Sequence, residues 1–198
     1  MTKLLTLFAL TILFVGCSNE KPENNKELSY TSAELEIYRE EGLKFAMATK
    51  AELGKNLISA INTKGTEHAL NFCTIQAIPL TDSMSVVLNT TISRVSDKPR
   101  NPDNRATEQE VEIIQNIQTM MADGSTPKPH ILPSGTTVIG YYPIITNEMC
   151  LQCHGGTGNE ITPQTLAKIA EYYPSDEATG YSSGQIRGLF KVEMQGKK

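Results

Sequence analysis

No long basic run appears anywhere in this 198-residue chain, and 18 basic residues stand against 22 acidic ones. Phosphate binding needs clustered positive charge, so nucleic acid is excluded as a partner. There is no internal repeat, and no kinase, cyclase or other output module is encoded. Long hydrophobic runs are also scarce. The one present, Leu4 to Val15, is too short and too weakly flanked to read as a spanning helix. Cysteine is sparse, with four in all, and each needs an assignment. The remaining composition, 39% hydrophobic and 20% charged, suits one soluble globular domain with a real core.

The positive start at Met1 to Lys3, the apolar run and Gly16-Cys17 read as a secretory signal peptide over residues 1–16. Its ending, Phe14-Val15-Gly16-Cys17, resembles a bacterial lipoprotein cleavage box, although Phe stands where Leu is usual. That resemblance implies cleavage before Cys17 and lipidation of Cys17. Several acyl chains anchor stably where a single chain binds only marginally. The alternative is an ordinary signal peptide with a stray cysteine. Residues 17–30, rich in Asn, Glu, Lys and Ser, read as a disordered tether, and the folded domain is expected over residues 31–198. The expected location is the periplasmic side of a bacterial membrane.

Ser32 is the expected N-cap of a long first helix, one face of which carries Leu43, Met47, Ala51, Gly54, Ile58 and Ile61. Gly65 ends it. A second helix is expected from Thr66 to Ile78, closed by Pro79. Val86 to Ser96 is rich in β-branched residues and reads as a strand. Thr107 and Glu110 form a capping-box pattern for a helix stopped by Asp123-Gly124. His130 to Leu132 and Thr136 to Ile145 read as strands on either side of Gly135, and Thr162-Pro163 starts a short helix. In the last strand Ile186, Gly188, Phe190, Val192 and Met194 are expected to share one side. This order implies an α+β fold, an antiparallel sheet with helices on one face.

Cys150-Leu151-Gln152-Cys153-His154 is C-x-x-C-H, the signature of c-type haem attachment. Two thiols so spaced reach the two vinyl groups on one edge of the macrocycle, and the adjacent histidine falls beneath the iron. Gly155 and Gly156 follow and give the backbone room near the ring. A single motif implies one covalent haem. Three other readings compete. Cys150 and Cys153 would form a disulfide, or a thioredoxin-like pair, which needs a preceding strand and a helix opening at its first cysteine. Alternatively Cys73, Cys150, Cys153 and His154 would hold zinc. The export signal favours haem.

With His154 on one axial position, the candidates for the other are Cys73, His68, His130, Met120, Met121, Met149, or nothing. Cys73 is the leftover cysteine, and its helical neighbours Ala69, Leu70 and Ala77 leave space for a flat ring. The alternative is a buried inert thiol.

Several elements together resemble a bacterial family of small exported single-haem c-type cytochrome domains with a PAS-like fold. That family was formerly a domain of unknown function and also serves as the sensor part of signalling proteins. The matching elements are the helix bearing Cys73, Arg94-Val95-Ser96, Arg100-Asn101-Pro102 and Asn104. Tyr142-Pro143 ahead of Cys150-Leu151-Gln152-Cys153-His154-Gly155 follows, then Gly180-Tyr181, Gly184 and Arg187-Gly188. The resemblance runs from Leu43 to Met194; Thr74 to Leu80 is more apolar here than the family pattern. It implies a PAS-like antiparallel sheet with flanking helices and a long N-terminal helix. It also implies His154 and Cys73 as the axial pair. Arg94 and Arg100 are candidates for pairing with haem propionates, because guanidinium forks match carboxylates; the alternative is solvent-facing charge.

The functional expectation is a membrane-anchored redox or gas sensor, a signal-input module whose partners are a redox or signalling protein and a diatomic gas. An electron-transfer cytochrome is the alternative. A peroxidase-like enzyme ranks last, because no distal acid–base pair is evident, so no enzymatic activity is expected.

Overall fold

The computed structural model describes residues 29–196. The signal peptide, Cys17 and nearly all of the tether lie outside the described residues. Among the described residues five helices and four strands follow the order α1 (Ser32–Lys64), α2 (Thr66–Val87), β1 (Thr91–Val95), α3 (Glu108–Ala122), β2 (His130–Ser134), β3 (Thr137–Ile145), α4 (Glu148–His154), α5 (Pro163–Tyr172) and β4 (Ile186–Gln195). A short 3-10 turn at Pro102–Asn104 separates β1 from α3.

The sheet is antiparallel, in the order β1-β4-β3-β2. β2 is an edge strand, which is why Pro133 is tolerated within it. The fold is therefore α+β, as expected, but helices cover both faces rather than one. α1 lies on one face, where Tyr38 and Ala46 pack against Ile92, Val138, Tyr142, Phe190, Val192 and Met194. α3 covers the other face, where Ile113, Ile114 and Ile117 meet Tyr141, Ile186 and Leu189.

Local chemistry sets the element ends. Thr31, not Ser32, caps α1, in a full capping box with Glu34. The Thr107–Glu110 capping box opens α3 as expected, and Thr162 caps α5 ahead of Pro163. Gly124 and Gly135 take positive φ where the sequence calls for turns.

Four further expectations are corrected. First, the large apolar face of α1 is not its core face: Leu43, Met47 and Ile58 are 43%, 52% and 43% exposed. The buried residues are Tyr38, Gly42, Ala46 and Thr49. Small side chains let the helix lie directly on the sheet. A Cβ at Gly42 would come 2.1 Å from Tyr142 Oη, and that hydroxyl donates to the carbonyls of Tyr38 and Arg39 at 3.3 and 3.2 Å. Second, α2 continues through Pro79 to Val87. Ile75, whose carbonyl loses its donor to the proline, and Pro79 both lie on the solvent side, where water can replace the bond. Hydroxyls of Thr81, Ser83 and Ser85 bond back to the carbonyls of Ala77, Pro79 and Thr81 in the following turns. Third, Val86 and Val87 consequently belong to α2, and β1 begins only at Thr91, after a reversal at Asn89 with φ 50°. Fourth, the alternation of β4 breaks at its start. A register shift beside Ile144 and Ile145 puts Ile186 on the α3 face with Leu189, while Phe190, Val192 and Met194 face α1. Close approach of β1 at this point requires Gly188, whose Cβ would meet Val95 O at 2.4 Å.

Candidate functional site

β3 leads directly into α4. Asn147 caps that helix by accepting from the Cys150 amide at 3.2 Å, and Gly155 ends it after seven residues. Cys150, Cys153 and His154 stand at i, i+3 and i+4, so they share one helical face. That face turns into a cavity of about 310 Å³ bounded by α1, α2, α4 and the strands β1 and β4. Cys73, Arg94 and Arg100 line the same cavity. All the residues expected from the sequence to form the site, Cys17 apart, are thus brought together.

His154 is prepared as a ligand. Its Nδ1 lies 2.7 Å from the Ala178 carbonyl oxygen, which can only accept, so Nδ1 carries the proton. Nε2 keeps its lone pair free. Burial, with Arg100 and Arg187 nearby, drives the imidazole pKa well below its usual value, so the ring is neutral. Arg187 Nε stands 3.4 Å from the same Nδ1. With the proton committed to Ala178, that contact is a fixed positive charge beside the ring rather than a hydrogen bond.

Burial raises the Cys73 thiol pKa, and the nearby Arg94 and Arg100 oppose it. Burial pushes Cys153 up to about 11, with Arg100 opposing and Cys73 adding to the rise. The competing readings of the motif are judged on this geometry. A strand does precede the pair, and a helix opens two residues before Cys150, so the flanking structure does not exclude a thioredoxin-like pair. Cys73, Cys150 and Cys153, the three cysteines among the described residues, are free thiols, not disulfides. Among the described residues no group of three or more His, Cys, Asp or Glu side chains is arranged to hold a metal ion.

The structure separates the candidates for a second ligand by position. Cys73 and Met149 line the cavity, whereas His68, His130, Met120 and Met121 do not. His130 opens edge strand β2 beside Tyr141, and His68 is exposed on α2.

The arginines divide. Arg100 is committed within the protein, forking onto Asp176 at 3.0 and 3.2 Å and donating to the Cys153 carbonyl at 2.6 Å. Among the described residues Arg94 reaches only the Ala77 carbonyl, at 3.4 Å. Arg187 donates to Ser96 Oγ at 2.7 Å and to the Lys98 carbonyl at 3.1 Å. Among the described residues neither Arg94 nor Arg187 has a carboxylate at ion-pair distance. Burial pulls both guanidinium pKa values down. Partly buried cations without counter-charges call for an anionic occupant.

These residues fit haem. Gly54, Ala69 and Ala77 give the cavity low walls, and a Cβ at Gly54 would meet nothing within 4 Å. Two thiols and an imidazole in the ligand tautomer occupy one helical face, and two arginines await carboxylates. The sequence did not reveal Arg187, Asp176 or Ala178 as site residues. Arg187-Gly188 was visible only as a pair in the family pattern. Asp176 acts through its carboxylate and Ala178 through its backbone carbonyl, and neither leaves a local signature.

The fold and site define a class: a single α+β domain in which an antiparallel sheet and a helical hairpin close on one cavity holding thiol, imidazole and guanidinium groups. Within it, residues 23–194 match the Tll0287-like family, and the chain belongs to that family. The crystal structure of the cyanobacterial haem protein Tll0287 shares the fold, with a TM-score of 0.56 and 21% identity over 80% of this chain and 97% of that one. Among curated proteins none matches the chain.

Proposed function

We propose that this chain holds one haem covalently through Cys150 and Cys153, with His154 and Cys73 as axial ligands, and serves as a redox- or gas-responsive signal-input domain. The observation that carries the reading is the single cavity gathering Cys73, Cys150, Cys153 and a His154 whose Nδ1 is already bound to a carbonyl. The haem of Tll0287 supports it. When bound, haem supplies a reversible one-electron change at a metal whose ligands can exchange.

The chain's own groups have separable tasks. His154 offers Nε2 while Ala178 holds the opposite nitrogen. Arg94 and Arg187, rather than Arg94 and Arg100, take the two carboxylates, since Arg100 is spent on Asp176. Cys73 rides on α2, which makes it the ligand that helix movement can withdraw. The role proposed is that of a signal-input domain rather than an enzyme. An electron-transfer cytochrome is the second reading. It is favoured by the partial exposure of Cys150, which leaves that end of the attachment edge within reach of a partner.

The lipid anchor at Cys17 belongs to the same proposal, motivated by the apolar run ending in Gly16-Cys17. Exported protein should keep its haem stain after denaturing electrophoresis, and the Cys150→Ala/Cys153→Ala variant should lose it. A stain that survives the double substitution refutes covalent attachment at these residues. Intact-mass analysis of the same preparation should show residues 1–16 removed and lipid mass added; any other N-terminus refutes the anchor.

A further inference from the structure

We propose that Arg100 and Asp176 are positioning residues for His154: their ion pair holds the Ala178 carbonyl against Nδ1–H and so sets how strongly the imidazole donates to iron. The inference rests on the haem reading and assigns a task to residues outside the ligand set.

Three segments far apart in the chain meet here. Arg100 follows β1, Asp176 and Ala178 lie between α5 and β4, and His154 ends α4. The Arg100–Asp176 fork is nearly dry, with side chains 10% and 8% exposed. Asp176 Oδ1 also accepts the Ala178 amide at 3.0 Å, which bends the chain into a tight turn. That turn aims the Ala178 carbonyl at His154. Arg100 Nη2 then reaches both the Ala178 carbonyl, at 3.4 Å, and the Cys153 carbonyl, at 2.6 Å. One guanidinium therefore ties the acceptor turn to the residue preceding the histidine. Backbone bonds from Tyr181 to His154 and from Gly180 to Gly155, at 2.9 and 2.8 Å, continue the same seam. Such partners fix the tautomer, orientation and basicity of a ligating imidazole.

A simple charge effect predicts something different. Losing the Arg100 charge would favour ferric iron, and losing the Asp176 charge would favour ferrous iron. Losing the hydrogen bond to Nδ1 weakens the donor and favours ferrous iron in both cases. Redox titration of haem-loaded Arg100→Gln and Asp176→Asn should therefore move both toward ferrous, by about tenfold in the ferrous-to-ferric ratio at fixed potential. Any result in which Arg100→Gln does not move toward ferrous overturns the proposal. A second measurement needs no variant: the His154 Nδ1–H of the wild-type protein should exchange slowly with solvent by NMR. Free exchange there also overturns it. Absence of haem from the wild-type protein would instead sink the reading beneath it.

Discussion

Gly54 offers a test in which polypeptide and cofactor pull in opposite directions. It lies inside α1 and lines the cavity. Glycine in a helix interior costs about 0.5–1 kcal/mol relative to alanine. The added methyl of Gly54→Ala would meet no protein atom within 4 Å, so nothing in the chain offsets that gain. A haemless chain, the Cys150→Ala/Cys153→Ala background, should become more stable by about 0.5–1 kcal/mol. If the macrocycle lies against Gly54, the same methyl intrudes on it, and overpacking costs about 1–3 kcal/mol. The haem-loaded variant should then be less stable than its parent by about 1 kcal/mol. Urea unfolding of both backgrounds measures the difference. An equal gain in both would show that the wall at Gly54 is not used by the cofactor.

Replacing Cys73 by Ser should leave the covalent haem in place but remove the low-spin thiolate signature from ferric absorption and paramagnetic resonance spectra. An unchanged spectrum passes the role to Met149, the other candidate facing the cavity. In haem-free chain, Cys153 should alkylate slowly at pH 8 and faster as pH approaches its raised value of about 11. Because the folded chain holds this proton more tightly than the unfolded one, the stability it contributes is full below the unfolded thiol pKa and is lost as pH rises toward about 11. Rapid alkylation at pH 8 would contradict the burial assigned to it.

What was legible in the sequence was local. The C-x-x-C-H motif, the Thr107–Glu110 box, Thr162-Pro163 and the glycine turns each carry their chemistry within five residues, and each stands where expected. The misreadings came from tertiary context. Large apolar residues on α1 outweighed a stripe of small ones, yet only the small ones permit contact with Tyr142. Pro79 reads as a helix end unless one knows that Ile75 faces water. Val86-Val87 has strand propensity, but α2 was already propagating. Arg94 and Arg100 looked equivalent, since Asp176 lies far along the chain. Cys73 was found by arithmetic on leftover cysteines and by family resemblance, not by any local pattern.

The burial of Cys153 also bears on the order of assembly. In the closed fold its thiol is a poor nucleophile, and Leu70, Ile161 and Ile169 pack around it. The pentapeptide from Cys150 to His154 is contiguous and needs no tertiary structure to present both sulfurs. Cys73, Arg94 and the Ala178 turn come from segments that meet only once the chain has folded. On the haem reading, attachment therefore belongs to the open chain emerging from export, and α2 arrives last. Closure of the helical hairpin over the macrocycle becomes the step that turns a tagged polypeptide into a finished domain.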